Sequence, residues 1–185
     1  MEKETYEVNG EVLEVMALGA AHEVGRSCIW VKYCGKQILL DCGIHPGFVG
    51  YEALPYFDEI NPGEIDLLLI THFHNDHCAA LPYLLAHTEF KGEIYMTHPT
   101  KAIYKLVISD YVKVSNTAIR EMLYDEKDLL YSMERVKLID YHQVLHHKGI
   151  TFTCFAAGHV LGACMFLITI NGTNILYTGD FSREK

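Results

Sequence analysis

Thr71-His72-Phe73-His74-Asn75-Asp76-His77-Cys78 decides how this chain is read. Four metal-capable side chains, His72, His74, Asp76 and His77, fall within six residues. The run Ile65-Asp66-Leu67-Leu68-Leu69-Ile70 leads into them as a strand, and Ala79-Ala80-Leu81-Pro82-Tyr83-Leu84-Leu85 leads away as a helix. Side chains two apart on an extended segment share a face, so His72 and His74 can grip one ion together. Asp76 and His77 are adjacent at the turn into the helix, so at least one points elsewhere. That spacing suits two neighbouring metals better than one. The competing reading is a surface histidine cluster with no ligand. Four ligand-type residues at a strand-to-helix turn make it the weaker of the two.

Three further strand ends carry the same kind of residue. Ala157-Gly158-His159-Val160-Leu161-Gly162-Ala163 sets a histidine between glycines, where the backbone can turn tightly and approach closely. Tyr177-Thr178-Gly179-Asp180-Phe181-Ser182 and Leu39-Leu40-Asp41-Cys42-Gly43 each end a strand on a carboxylate beside glycine. Alone, each is more often a turn former. Together with the six-residue motif they describe one metal-binding rim. His72, His74 and His159 would furnish one ion, which leaves Asp180 as the carboxylate to bridge two. Asp41 is assigned to orienting a ligand imidazole.

With 185 residues, half of them hydrophobic, the chain can bury one substantial core. No apolar stretch approaches a membrane span, and the start Met1-Glu2-Lys3-Glu4-Thr5 is not a signal peptide. A soluble, non-secreted protein with no membrane partner is expected. Cys28, Cys34, Cys42, Cys78, Cys154 and Cys164 are scattered through apolar runs without a C-x-x-C pair, so buried reduced thiols are expected. The formal charge of −9 argues against broad attraction to nucleic acid. Two divalent ions in a cleft would reverse the sign locally.

Strands are expected at Val12–Leu18, Cys28–Tyr33, Lys36–Leu40 and Glu93–Thr97, the last closed by His98-Pro99. A helix follows from about Thr100 to Ser115, then another across Glu126 to Glu134. Strands return at Lys137–Asp140, Val144–His146, Ile150–Ala156, Cys164–Ile170 and Asn174–Thr178, with hairpin turns at Cys34-Gly35 and Asn171-Gly172. This order gives an α/β class fold of α+β sandwich type, with two or three helices outside packed sheets.

The motifs H-x-H-x-D-H, A-G-H-V-L-G-A and Y-T-G-D-F-S-R resemble the metallo-β-lactamase fold in its nucleic-acid-processing branch, the β-CASP group. Leu40 to Gly47 and Asp110 to Asn116 further resemble the endonuclease subunits of the cleavage and polyadenylation specificity factor. The resemblance implies an incomplete αββα fold, with residues 1–185 as its amino-terminal portion and the β-CASP insertion absent. It implies two zinc ions in the complete protein, one on His72, His74 and His159, the other on Asp76 and His77, with Asp180 bridging. A later histidine completing the second site, and a general-acid histidine, would lie beyond Lys185. The implied activity is nuclear cleavage of pre-mRNA 3′ ends, with other subunits of the cleavage and polyadenylation complex as partners. The chain departs from the family pattern at Ala21, usually glycine, and at Asn75, often apolar.

Metal-assisted attack of water on a phosphodiester would suit these residues, with Asp76 a candidate base. The 185-residue chain alone is expected to hold at most one ion well and to cleave little or nothing. Its sheet edges are expected to invite pairing into a dimer. The alternatives are a non-catalytic scaffold module and a hydrolase of another substrate such as a thioester. His98 and His142 are assigned to strand ends, and His146-His147 to a solvated turn. His22 and His45 are weak candidates for substrate contact. Lys101, Lys105 and Lys113 are weaker ones for phosphate, because a solvated helix face explains them better.

Overall fold

Leu67, Leu68, Leu69 and Ile70 are all buried, because packed layers cover both faces of the strand they belong to. The computed structural model describes residues 3–117 and 122–184, and side chains 115–117 lie outside that description. The ends Met1, Glu2 and Lys185 and the side chains of Ser115 and Asn116 therefore fall outside the described residues.

The larger sheet has seven strands in sequential order: β1 (Lys3–Val8), β2 (Glu11–Gly19), β3 (Cys28–Tyr33), β4 (Lys36–Leu40), β5 (Leu67–Leu69), β6 (Glu93–Met96) and β7 (Val136–Leu138). Pairing is antiparallel from β1 to β4 and parallel from β4 to β7. Parallel neighbours need long crossovers. These carry α1 (Asn75–Cys78) and α2 (Leu81–His87), then α3 (His98–Thr117) and α4 (Glu126–Arg135). The smaller sheet is antiparallel, in the order β11 (Thr173–Tyr177), β10 (Cys164–Ile170), β9 (Ile150–Ala156), β8 (Val144–His147).

Period-two alternation sorts the core into two layers. Met16, Leu18, Trp30, Leu39, Leu68 and Ile70 face the helices. Val31, Tyr33, Ile38, Leu40, Leu67 and Leu69 face the second sheet, where Phe152, Phe166 and Ile168 meet them. The described residues thus build a helix layer, a seven-stranded sheet and a four-stranded sheet. This is the expected sandwich with three of its four layers. All six cysteines are free, and every one but Cys34 is buried.

Three local expectations change. Strand β1 was not foreseen: Lys3–Val8 is almost wholly exposed, so no hydrophobic alternation announces it. Its signal is Asn9-Gly10, whose φ of 52° and 78° form a two-residue hairpin turn like those at Cys34-Gly35 and Asn171-Gly172. The helix expected from Ala79 starts at Leu81 and is preceded by the separate turn α1, giving four α-helices among the described residues, and Pro82 sits in the first turn of α2. His98-Pro99 opens α3 instead of closing β6, since proline is tolerated at a helix start. The start of α4 is fixed by a capping box between Asp125 and Asp128.

Leu67→Ala empties a fully buried position between the sheets and should destabilise the protein by about 2–5 kcal/mol. The measure is the urea midpoint. A loss below about 1 kcal/mol would mean the sheets are not packed there.

Candidate metal centre

The site lies at one rim of the sandwich, where strand ends from both sheets meet. His72 and His74 follow β5, Asp41 follows β4, His159 lies between β9 and β10, and Asp180 follows β11. Two main-chain ties fix this rim, the first between the sheets and the second between two strand ends of the smaller sheet. Cys164 N–H donates to the Thr71 carbonyl at 3.0 Å, and Ser182 N–H donates to the Ala157 carbonyl at 2.9 Å. Helix α1 is a single turn, so its carbonyls keep acceptor capacity for donors from other segments, although that of Asn75 also takes the Ala79 N–H at 3.1 Å. Ile44, Ser27 and Cys42 donate N–H bonds to the carbonyls of Asn75, Asp76 and His77 at 3.0, 2.7 and 2.8 Å. Gly43 makes that approach feasible, since a Cβ there would stand 1.8 Å from the Asp76 carbonyl oxygen.

This framework brings all six sequence-derived ligand candidates together. His74 Nδ1 lies 3.1 Å from His72 Nε2 and 3.3 Å from His159 Nε2. Asp180 Oδ2 is 3.9 Å from His72 Nε2 and 3.6 Å from His159 Nε2. One donor atom from each of these four residues falls within 4.8 Å of all the others, an arrangement that could hold a metal ion. Beside it, His77 Nε2 is 3.7 Å from both Asp76 Oδ2 and Asp180 Oδ1. The two oxygens of Asp180 thus face different groups, and Asp76 with His77 forms the second.

Residues 13–185 match the model of the metallo-beta-lactamase superfamily domain. The chain belongs to the metallo-β-lactamase superfamily. A HARLDQ-motif mutant of a metallo-beta-lactamase from Cronobacter sakazakii has the same fold. Its TM-score is 0.58 at 15% identity, over 89% of this chain and 60% of that one. Cleavage and polyadenylation specificity factor subunit 3-I from Arabidopsis thaliana is 58% identical over 177 residues, 96% of this chain and 26% of that protein. Endoribonuclease ysh1 from Schizosaccharomyces pombe is 53% identical over 175 residues, 95% of this chain and 23% of that protein. Cleavage and polyadenylation specificity factor 73 from Drosophila melanogaster is 55% identical, over 95% of this chain and 26% of that protein. The chain spans about a quarter of the length of these curated relatives.

Within this metallo-β-lactamase rim, Asp41 is fully buried and backs the ligand candidates. Its Oδ2 accepts hydrogen bonds from His77 Nδ1 and from the Tyr177 hydroxyl, both at 2.8 Å. Its Oδ1 accepts the Thr71 N–H at 2.7 Å. Thr71 and Tyr177 were not singled out from sequence, although both stand inside the motifs that were. His22 is exposed, and neither it nor His45 belongs to the four-residue group. His45 instead faces Glu23 at 3.7 Å. Lys101 donates to the Val136 carbonyl at 2.7 Å and so braces α3 against β7, whereas Lys105 and Lys113 are exposed on α3.

Burial sets the protonation of the rim. It pulls the His72 imidazole down to about 4, with His77 pushing the same way. It also lowers His74, helped by His159. Burial opposes charge on His77 too, but the hydrogen bond to Asp41 and the nearby carboxylates outweigh it, and the pKa is raised. The neutral imidazole that a metal requires is therefore already favoured at His72 and His74.

A histidine depressed from 6.5 to about 4 by folding contributes stability that is present above pH 6.5 and lost as pH falls through that window. His77, shifted upward, contributes in the opposite sense: fully below pH 6.5, and less as pH rises. Metal-free protein should therefore lose roughly 3 kcal/mol between pH 6.5 and 4 through His72 alone. Denaturant unfolding in chelator across that range is the check. A flat profile would contradict it.

Proposed function

We propose that this chain carries the metal-binding part of a zinc-dependent RNA endonuclease that cleaves pre-mRNA 3′ ends. The observation that carries the reading is the spacing of three imidazole nitrogens at 3.1 and 3.3 Å. Nitrogens bound 2.0–2.1 Å from one tetrahedral zinc stand about 3.3 Å apart. His72 Nε2, His74 Nδ1, His159 Nε2 and Asp180 Oδ2 would hold one zinc. Asp76, His77 and Asp180 Oδ1 would hold a second. The names of the relatives, an endoribonuclease and cleavage and polyadenylation factors, support the substrate class.

When bound, such cations supply Lewis acidity, bringing the pKa of water toward about 7 and polarising phosphate oxygens. The chain's own residues do the rest. Asp180 turns one oxygen to each group, and Asp41 keeps the His77 ring aimed at the second. Asp76, a candidate ligand beside the attacking water, would also take up its proton. The new bond would join water oxygen to phosphorus while the phosphorus–O3′ bond breaks, leaving the phosphate on the downstream RNA and an upstream 3′ oxygen that takes its proton from a general acid outside residues 1–185. The net negative charge of the chain does not oppose this, because the local field belongs to the cations.

In this reading residues 1–185 are the amino-terminal portion of the metallo-β-lactamase domain of a longer nuclear protein. That protein acts with other subunits of the cleavage and polyadenylation complex. The 185-residue chain should retain one zinc tightly after exhaustive dialysis, because among the described residues one group has four donors within 4.8 Å of one another. Two tightly held ions by elemental analysis would contradict this, and His159→Ala should remove the one. In the full-length protein, Asp76→Asn with His77→Ala should slow RNA cleavage by about 100-fold or more. Unchanged cleavage would exclude the assignment.

A further inference from the structure

Asp41, Thr71 and His72 form a chain of contacts that goes beyond ligand geometry. The Thr71 hydroxyl lies 3.0 and 2.9 Å from the two Asp41 oxygens and 2.9 Å from His72 Nδ1. It has one hydrogen to give, and two arrangements compete. If it donates to Asp41, His72 Nδ1 must donate to the hydroxyl oxygen, and His72 Nε2 keeps a free lone pair. If it donates to His72 Nδ1, the hydrogen moves to Nε2, which then points at His74 Nδ1 3.1 Å away. The charged acceptor decides between them, since hydrogen bonds to an ionised group are roughly twice as strong as neutral ones.

The Thr71 rotamer is held to this task by packing. A Cβ on Gly179, whose φ is +52°, would stand 2.7 Å from the Thr71 hydroxyl and methyl, so the Gly179 backbone rests directly on that side chain. The carboxylate it addresses is equally fixed. Tyr177 and the Thr71 N–H occupy two more of its acceptor positions, and His77 Nδ1 a further one.

We propose that Thr71 is a positioning residue that ties His72 to the same carboxylate that holds His77. Asp41 then sets the tautomer of one histidine in each of the two donor groups. In their neutral forms both rings then have Nε2 unprotonated and facing the rim, so the groups are prepared together. The proposal rests on the metal-binding reading only for its purpose. The tautomers are a property of the metal-free chain.

The test uses nitrogen NMR of the imidazoles in metal-free protein at mildly alkaline pH, where both rings are neutral, together with zinc affinity from chelator competition. Wild type should show His72 and His77 as the Nδ1–H form. Thr71→Val keeps the shape and the Asp41 contact of the main-chain N–H. It should release His72 from that form, leave His77 in it, and weaken zinc binding by about 10–100-fold. Thr71→Ser, which restores the hydroxyl, should restore both readouts. His72 as Nε2–H in wild type would overturn the proposal, as would Thr71→Ser behaving like Thr71→Val. So would an unchanged His72 tautomer and zinc affinity in Thr71→Val. Should Thr71→Val not fold, the wild-type tautomer and Thr71→Ser decide. Absence of zinc binding by wild type would count against the metal reading and leave the tautomer result standing.

Discussion

Imidazole nitrogens that face one another across little more than 3 Å are the constraint on which this molecule depends. Where no proton lies between them, lone pairs at that separation gain nothing from each other, so a pliant framework would let the rings swing apart. The chain prevents this with main-chain hydrogen bonds. Cys164 is bonded to the Thr71 carbonyl, and three successive carbonyls of α1 are taken up by Ser27, Cys42 and Ile44. A fully buried carboxylate behind the rings removes the remaining freedom of His77. The two packed cores make these ties rigid, because strands buried on both faces cannot shift without opening a void.

Much of this was legible in the sequence, and the reason is chemical. A histidine or aspartate beside glycine at one strand end reads as a plain turn, but its recurrence together with the six-residue motif allowed His72, His74, His159 and Asp180 to be linked before any geometry was known. Sheet strands were legible wherever alternation or continuous apolarity marked a buried face, as in Cys28–Tyr33 and Cys164–Ile170. Lys3–Val8 escaped because an exposed strand has no such mark. Thr71 and Tyr177 escaped for a different reason. Their roles are defined by Asp41, 30 and 136 positions away in sequence, and neither residue type announces a hydrogen bond of that reach. Lys101 shows the converse: its charge suggested phosphate, while the fold spends it on a carbonyl at the start of β7.

Fold and chemistry carry different weight here. A bacterial metallo-beta-lactamase shares the architecture at 15% identity, which speaks only for the scaffold. The reading as a nuclease rests on the donor atoms and on relatives that are more than half identical across nearly the whole chain.

The origins of the four grouped donors have a mechanical meaning. His72 and His74 hang from the larger sheet, and His159 and Asp180 from the smaller one. A cation gripped by all four is a clasp across the seam of the sandwich, closing it at the rim where the strands end. Its binding energy then adds to the cohesion of the two halves, by about 2.7 kcal/mol when the free ion stands at 100 times its dissociation constant. Scarcity of the ion would loosen the seam itself, so the durability of this fold becomes a gauge of metal supply.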